Sequence, residues 1–344
     1  MKALTLLRRG QSRFGLAFTV FAIAAVVIWY AFPGAFAQGI GTWQREFPLT
    51  DFETRSIELS EIDDDGNTRD SIPPVGTPVY VDANKATDIG PLEPVLSIGI
   101  NGDFRAYPLR ILLWHEIVNE DIGGVPVLVT YCPLCNSGVV FDRRVDGQVL
   151  DFGNTGRLRN IDMVMYDKQT ESWWQQFTGE AIIGSLTGKT MKPLPARLES
   201  LEKFRARAPQ GKVLIPEDDK ARPYGSSPYV GMDTRRLPRS LARIRFPYDL
   251  PDGVRPLERL VVVGDEAWTL TKLRDAKRIE AGDLVLTWEA GQNSIHDTQL
   301  IFRGRDVGNV VVQRRTDNGL RDVPYDVAFA YAFSAFVPDG MLHF

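Results

Sequence analysis

The stretch from Val125 to Phe141, VPVLVTYCPLCNSGVVF, constrains this chain more than any other. Valine at alternate positions (Val125, Val127, Val129) has the period of a strand with two unlike faces. Val139, Val140 and Phe141 carry the chain away in the same manner. Between them stand Cys132-Pro133-Leu134-Cys135, the only two cysteines in 344 residues. The residues after Cys135 read as strand, so the sulfurs are expected at the end of a strand and not at the N-terminus of a helix.

Upstream, Val95 to Leu109 (VLSIGINGDFRAYPL) places Asn101-Gly102 between alternating apolar residues, the strongest short hairpin signal. Leu109 to Glu120 (LRILLWHEIVNE) has apolar residues at helical spacing and predicts a helix of about three turns. On that helix His115 and Asn119 share a face, as do Glu116 and Glu120, and Gly123-Gly124 ends it. Downstream the pattern is a meander: Gly138 to Arg143, a turn at Asp146-Gly147, Val149 to Gly153, then Ile161 to Tyr166 with Met163 and Met165 on one face. Asp162 and Asp167 flank that last strand as turn caps. Trp173-Trp174 reads as core or as the wall of a groove. Arg157 and Asn160, in a loop with Gly153 and Gly156, are the weaker candidates for an anion contact.

The last third is partly an echo. Leu260 to Leu270 can be laid against Val95 to Leu109, and Gly282 to Thr287 against Gly124 to Thr130. Glu289-Ala290-Gly291-Gln292 then stands where the first copy has its cysteines, which assigns any thiol chemistry to the first copy only. Asp326 to Phe336 closes the chain as a helix or strand of the core. The expected class is α+β, mostly β, with antiparallel meander sheets, a few short helices and room for an internal duplication. The expected segments are a targeting segment (1–37), an irregular arm (38–94), a core with the cysteines (95–200), an extended connection (201–258) entered through a short helix over Leu198 to Ala208, and a C-terminal half (259–344).

Lys2, Arg8, Arg9 and Arg13 precede an uncharged apolar run from Leu16 to Phe32, and Ala35-Phe36-Ala37 has the small-x-small form of a cleavage site. This predicts an exported protein, periplasmic or on the outer face of the inner membrane, with the segment either removed or kept as an anchor. Membrane contact is expected only through this segment if it is kept. Those four residues are the only charged ones before that point, so removal takes the net charge from −4 to −8. No basic stripe suggests nucleic acid.

In an oxidising compartment two cysteines suggest a disulfide. A loop this short returns only about 2 kcal/mol by chain entropy, which is a weak reason to keep the pair. Redox exchange or metal binding is the stronger one. For exchange, one thiolate attacks and the other resolves. For metal, Cys132 and Cys135 supply two thiolates and His115 a third ligand, with Met163 or Met165 as a weak fourth; soft sulfur favours copper or zinc. Glu116, Asn119, Tyr131 and Asn136 are the expected supporting residues. Asn136 stands where covalent haem attachment needs His, which excludes a c-type cytochrome. A thiol hydrolase built on a cysteine with His115 and Asn119 is the least favoured chemistry. The competing class is a binding or scaffold module whose cysteine pair is a structural clip.

The residues 106–137 (AYPLRILLWHEIVNEDIGGVPVLVTYCPLCNS), 141–176 (FDRRVDGQVLDFGNTGRLRNIDMVMYDKQTESWWQQ) and 332–340 (AFSAFVPDG) resemble the bacterial and archaeal family catalogued as domain of unknown function 3179. The resemblance covers nearly all of the chain after the targeting segment. It implies that these residues form the family's characteristic core, and it brings no catalytic role with it.

Overall fold

The structure is a computed structural model that describes residues 33–64, 66–233 and 250–344. The chain divides into two compact units, 1–48 and 49–344. In the first, a helix spans Pro33–Glu46, where the sequence suggested an irregular arm from Gly39 onward. Proline at its start costs no hydrogen bond, since the first helical N–H groups have no partner in the helix. Among the described residues no helix is long and apolar enough to cross a membrane. The run Leu16 to Phe32 and the basic residues before it lie outside the described residues.

The larger unit is mostly β, with antiparallel sheets and short helices. Its opening hairpin, Pro94–Ile100 with Asp103–Pro108, turns at Asn101 and Gly102, both at positive φ (50° and 86°). A seven-residue helix, Leu109–His115, follows and buries Leu109, Ile111, Leu112 and Leu113. It ends four residues before Asn119. Glu116 takes the left-handed conformation (φ 58°), and Ile117–Ile122 is a strand paired along its length with Val125–Cys132. Ile117 and Val118 are β-branched and fully buried, and the ladder with the valine strand outweighs the local helical spacing. Asn119 and Glu120 therefore lie on a strand, and the shared helical faces expected for His115 with Asn119 and for Glu116 with Glu120 do not exist.

The order of elements occurs twice. In the second passage a hairpin (Arg259–Val263, Glu266–Thr269) leads to a seven-residue helix (Leu270–Ala276), a left-handed Lys277 (φ 62°) and a second hairpin (Arg278–Ala281, Leu284–Glu289). Each passage closes alike. Arg197–Ser200 pairs antiparallel with Pro94–Ile100, runs into the helix Leu201–Arg207, and returns as Lys212–Ile215 parallel to Asp103–Pro108. Asp326–Phe329 pairs with Arg259–Val263, runs into the helix Ala330–Phe336, and returns as Met341–His343 parallel to Glu266–Thr269. The closing segment Asp326 to Phe336 is thus a strand and then a helix. The region expected as an extended connection starts with the expected short helix and adds the strand Lys212–Ile215, and 234–249 lies outside the described residues.

Only the first passage carries an insertion, a second sheet of Phe152–Arg159, Asp162–Asp167, Trp173–Gln175 and Ala181–Ile183, edged by Ile62–Asp63. It packs against the cysteine-bearing sheet. Phe152, Met163, Met165 and Trp174 belong to one buried apolar cluster with Cys132, Cys135 and Phe141.

Candidate functional site

The strand Val125–Cys132 pairs antiparallel with Ser137–Asp142, and Cys132 opposite Ser137 is the last pair before the turn. Asn136 leaves the turn at φ 55°, a conformation asparagine tolerates better than most residues. Both cysteines are free thiols, 1% and 0% exposed. A carboxylate oxygen of Asp162 and the two sulfurs all lie within 4.8 Å of one another.

Asp162 is brought there by a strained turn. Asn160 and Ile161 join two strands in a two-residue hairpin with both φ angles positive (51° and 65°). Asparagine suits that conformation, but a β-branched isoleucine does not, at a cost of about 1–2 kcal/mol. The turn sets the Ile161 carbonyl 3.4 Å from Cys135 Sγ, which donates to it, and starts the next strand at Asp162. One carboxylate oxygen of Asp162, Oδ2, accepts from Gln175 Nε2 (2.6 Å) and Phe177 N (3.0 Å). The other, Oδ1, is buried without a hydrogen-bond partner among the described residues.

Burial governs the electrostatics. It pushes both thiols up, Cys135 further than Cys132, whose thiolate Cys135 stabilises. It raises Asp162 to about 6, opposed by its hydrogen bonds to Gln175 and Phe177 and by the nearby thiols. It raises Glu116 to about 8, with the Asp162 charge adding to the effect. Glu116 accepts from Asn154 Nδ2 (2.6 Å), which also lies 3.3 Å from Met163 Sδ. The Asp162 carboxyl thus stands beside both thiols, and the Glu116 charge acts on Cys132.

The structure does not bring His115 into this group. Its Nδ1 lies 3.0 Å from the Pro73 carbonyl and its Nε2 2.8 Å from the Tyr224 hydroxyl, and the ring stacks on Tyr224. The helix ends at His115, and the left-handed Glu116 turns the chain away before the strand toward the cysteines begins. Asn119 joins the two sheets, with Nδ2 donating to Phe152 O (2.9 Å) and Oδ1 accepting from Phe152 N (2.8 Å). Tyr131 donates to Asn136 Oδ1 (3.1 Å), and Asn136 Nδ2 donates to the Val327 carbonyl. Met165 is core packing in the cysteine cluster. Arg157 is buried, with Nη1 donating to Thr155 O (2.6 Å). Trp173 and Trp174 are buried, and Trp174 donates to Asp167 Oδ2 (2.9 Å).

The second passage, set aside for want of a thiol, holds the cysteine turn in place. Phe329 N donates to Cys135 O (2.8 Å). The Tyr331 hydroxyl donates to Leu134 O (2.9 Å) and lies 3.3 Å from Cys135 Sγ. His296 Nε2 lies 2.7 Å from Pro133 O. A carbonyl only accepts, so the ring carries its proton on Nε2, and Nδ1 accepts from Arg259 Nη2 (3.1 Å). Burial and the Arg259 charge lower His296 to about 3, so it stays neutral. Spacing pointed to none of Asp162, His296 and Tyr331 as cysteine neighbours. The one local signal was Asn160-Ile161, a turn whose second residue does not suit it.

A family model, described as protein of unknown function (DUF3179), matches residues 69–340. No curated protein and no solved structure matches the chain.

Proposed function

The chain belongs to that family, and from this premise we propose that Cys132 and Cys135 form a dithiol–disulfide centre in which Asp162 handles the proton. The observation that carries the reading is the buried Asp162 carboxylate, with one oxygen unpartnered, beside both sulfurs. Thiols pushed up by burial need a local base, and a carboxyl raised to about 6 is matched to that task near neutral pH. Cys132, the less raised of the two, is the attacking thiol and Cys135 the resolving one.

The co-reactant is a disulfide. Cys132 thiolate attacks one of its sulfurs, the S–S bond breaks and one partner sulfur leaves. Cys135 then gives its proton to Asp162 and attacks Cys132 Sγ, and the partner's second sulfur leaves the mixed disulfide and takes up the proton. Two electrons and two protons reach the partner, and one intrachain S–S bond forms. The N-terminal segment supports placing this activity outside the inner membrane, where such partners occur.

One observation favours a second reading. Two thiolates and a carboxylate within 4.8 Å of one another make three of the four donors of an open zinc site. The carboxylate is a poor partner for Cu(I), so zinc is preferred over copper. Under this reading the thiol protons leave when the ion binds.

Equilibrating the purified protein in thiol–disulfide buffers and counting thiols after denaturation separates the readings. The redox reading expects one two-electron transition and less than about a tenth of an equivalent of metal. About one zinc per chain, lost in Cys132→Ser with Cys135→Ser, carries the second reading instead. A disulfide that resists reduction below about −300 mV marks a structural clip and overturns both.

A further inference from the structure

In the second passage a cavity of about 400 Å³ opens between the segment 255–259, the helix Leu270–Ala276 and the loop 305–307. That volume lies in the range of small-molecule sites. Four of its lining residues are arginines (Arg255, Arg259, Arg274 and Arg305) and three are acids (Asp233, Glu258 and Asp306).

The acids are already committed. Asp233 accepts from Arg259 Nη2 (2.8 Å) and from Ser294 Oγ, and Arg305 approaches it at 3.4 Å. Arg259 offsets burial and holds Asp233 well below the usual carboxylate range. Asp306 accepts the backbone N–H groups of Gly291 (2.9 Å), Gln292 (3.1 Å) and Gly308 (2.8 Å). Glu258 accepts from Arg255 (2.6 Å) and the Thr271 hydroxyl (2.9 Å).

Two of the arginines are not committed in this way. Arg274 is 51% exposed, and among the described residues its hydrogen bond is the one from Nε to its neighbour Asp275, which leaves the outer nitrogens open. Arg305 is 54% exposed and among the described residues reaches only the already paired Asp233. Apart from Thr271 the remaining wall is apolar, with Met232, Pro256, Leu257, Leu270 and Val307.

We infer that this cavity binds an amphipathic organic carboxylate, whose charged end meets Arg274 and Arg305 and whose apolar body lies on Met232, Leu257, Leu270 and Val307. A guanidinium fork matches a carboxylate in two parallel hydrogen bonds. Being half exposed, these two guanidinium groups are open to a ligand entering from solvent. The inference does not rest on the dithiol reading. The site nevertheless adjoins the thiols: Met232 and Leu257 pack in the cysteine cluster, and Arg259 reaches the Pro133 carbonyl through His296.

Calorimetric titration of the full chain with octanoate, octanamide and inorganic phosphate tests it. Octanoate is expected to bind one per chain, at least about tenfold more tightly than its neutral amide. Phosphate, which has no apolar body, is expected to bind more weakly than octanoate. Arg274→Gln with Arg305→Gln, both half exposed, is expected to weaken octanoate by at least about tenfold and leave octanamide unchanged, with a far-UV spectrum like that of the unaltered protein. No octanoate binding below about 10 mM overturns the inference, as do equal binding of acid and amide, equal binding of phosphate and octanoate, or an unaffected double variant.

Discussion

The two passages of the larger unit share their hairpins, their seven-residue helices and their closing strands, and besides the sheet inserted in the first they differ at the connection that carries the cysteines. In the first, the strands Val125–Cys132 and Ser137–Asp142 are joined by a four-residue turn that carries the second sulfur. In the second, a long loop from Ala290 to Gly308 replaces that turn, and a buried histidine stands in it. The loop does not repeat the chemistry; through His296 it holds the other turn by its Pro133 carbonyl. Of two copies of one backbone plan, one thus carries the cysteine pair and the other braces its turn. What the comparison teaches is that a passage without thiols is still part of the thiol centre.

The sharpest way to break the comparison is to remove the brace. Asp233 and Arg259 form an ion pair with side chains 1% and 7% exposed, and Asp233→Ala leaves Arg259 buried without its counter-charge. A loss of about 3–5 kcal/mol is expected, seen as a lower urea midpoint. A loss below about 1 kcal/mol would mean that the second passage braces little.

The first passage is expected to respond in the opposite sense. Asp162 is raised in the fold, so the folded state holds its proton longer than the unfolded chain does. Its cost is absent well below pH 4, grows as pH rises from about 4 to about 6 and is complete above that. Glu116 extends the fall in stability toward pH 8. Asp162→Asn should therefore stabilise the protein at pH 8 by about 2–3 kcal/mol and flatten the profile between pH 4 and 6, while slowing thiol exchange. Thermal unfolding across that range, with exchange rates at pH 7, checks both halves.

Tyr331→Phe removes the hydroxyl that the second passage sets against Leu134 and Cys135, and about 1 kcal/mol of stability should go with it. The pH dependence of alkylation should show the Cys135 thiol raised further, since that hydroxyl opposes the rise. The smallest effect belongs to His115, held by Pro73 and Tyr224. His115→Asn should cost about 0.5–1 kcal/mol and leave the thiol–disulfide equilibrium unmoved. A shifted equilibrium would return that ring to the centre.

Much of the fold was legible in the chain. Asn101-Gly102 turns where its dihedral freedom predicts, and the alternating valines make the central strand, whereas Gly123-Gly124, expected to end a helix, turns a hairpin. The same reading placed the two sulfurs at a turn between strands. It ran the helix past His115 because apolar spacing over LRILLWHEIVNE cannot report that Ile117 and Val118 have a ladder waiting for them. It likewise matched only the first half of the repeated order, since the closing strands and helices pair with elements about a hundred residues or less than a hundred residues back in the chain and share no obvious spelling.

Local spacing was enough to determine an α+β, mostly β protein with one strand–turn–strand unit bearing its only sulfurs. Which groups stand beside those sulfurs was decided only when the sheets packed. Asp162 arrives on the inserted sheet, His296 and Tyr331 on the second passage, and His115, the nearest histidine in sequence, faces elsewhere. The reason is physical: periodicity and turn chemistry act over a few residues, whereas desolvation, which sets the protonation of these thiols and carboxyls, is a property of the whole packed core.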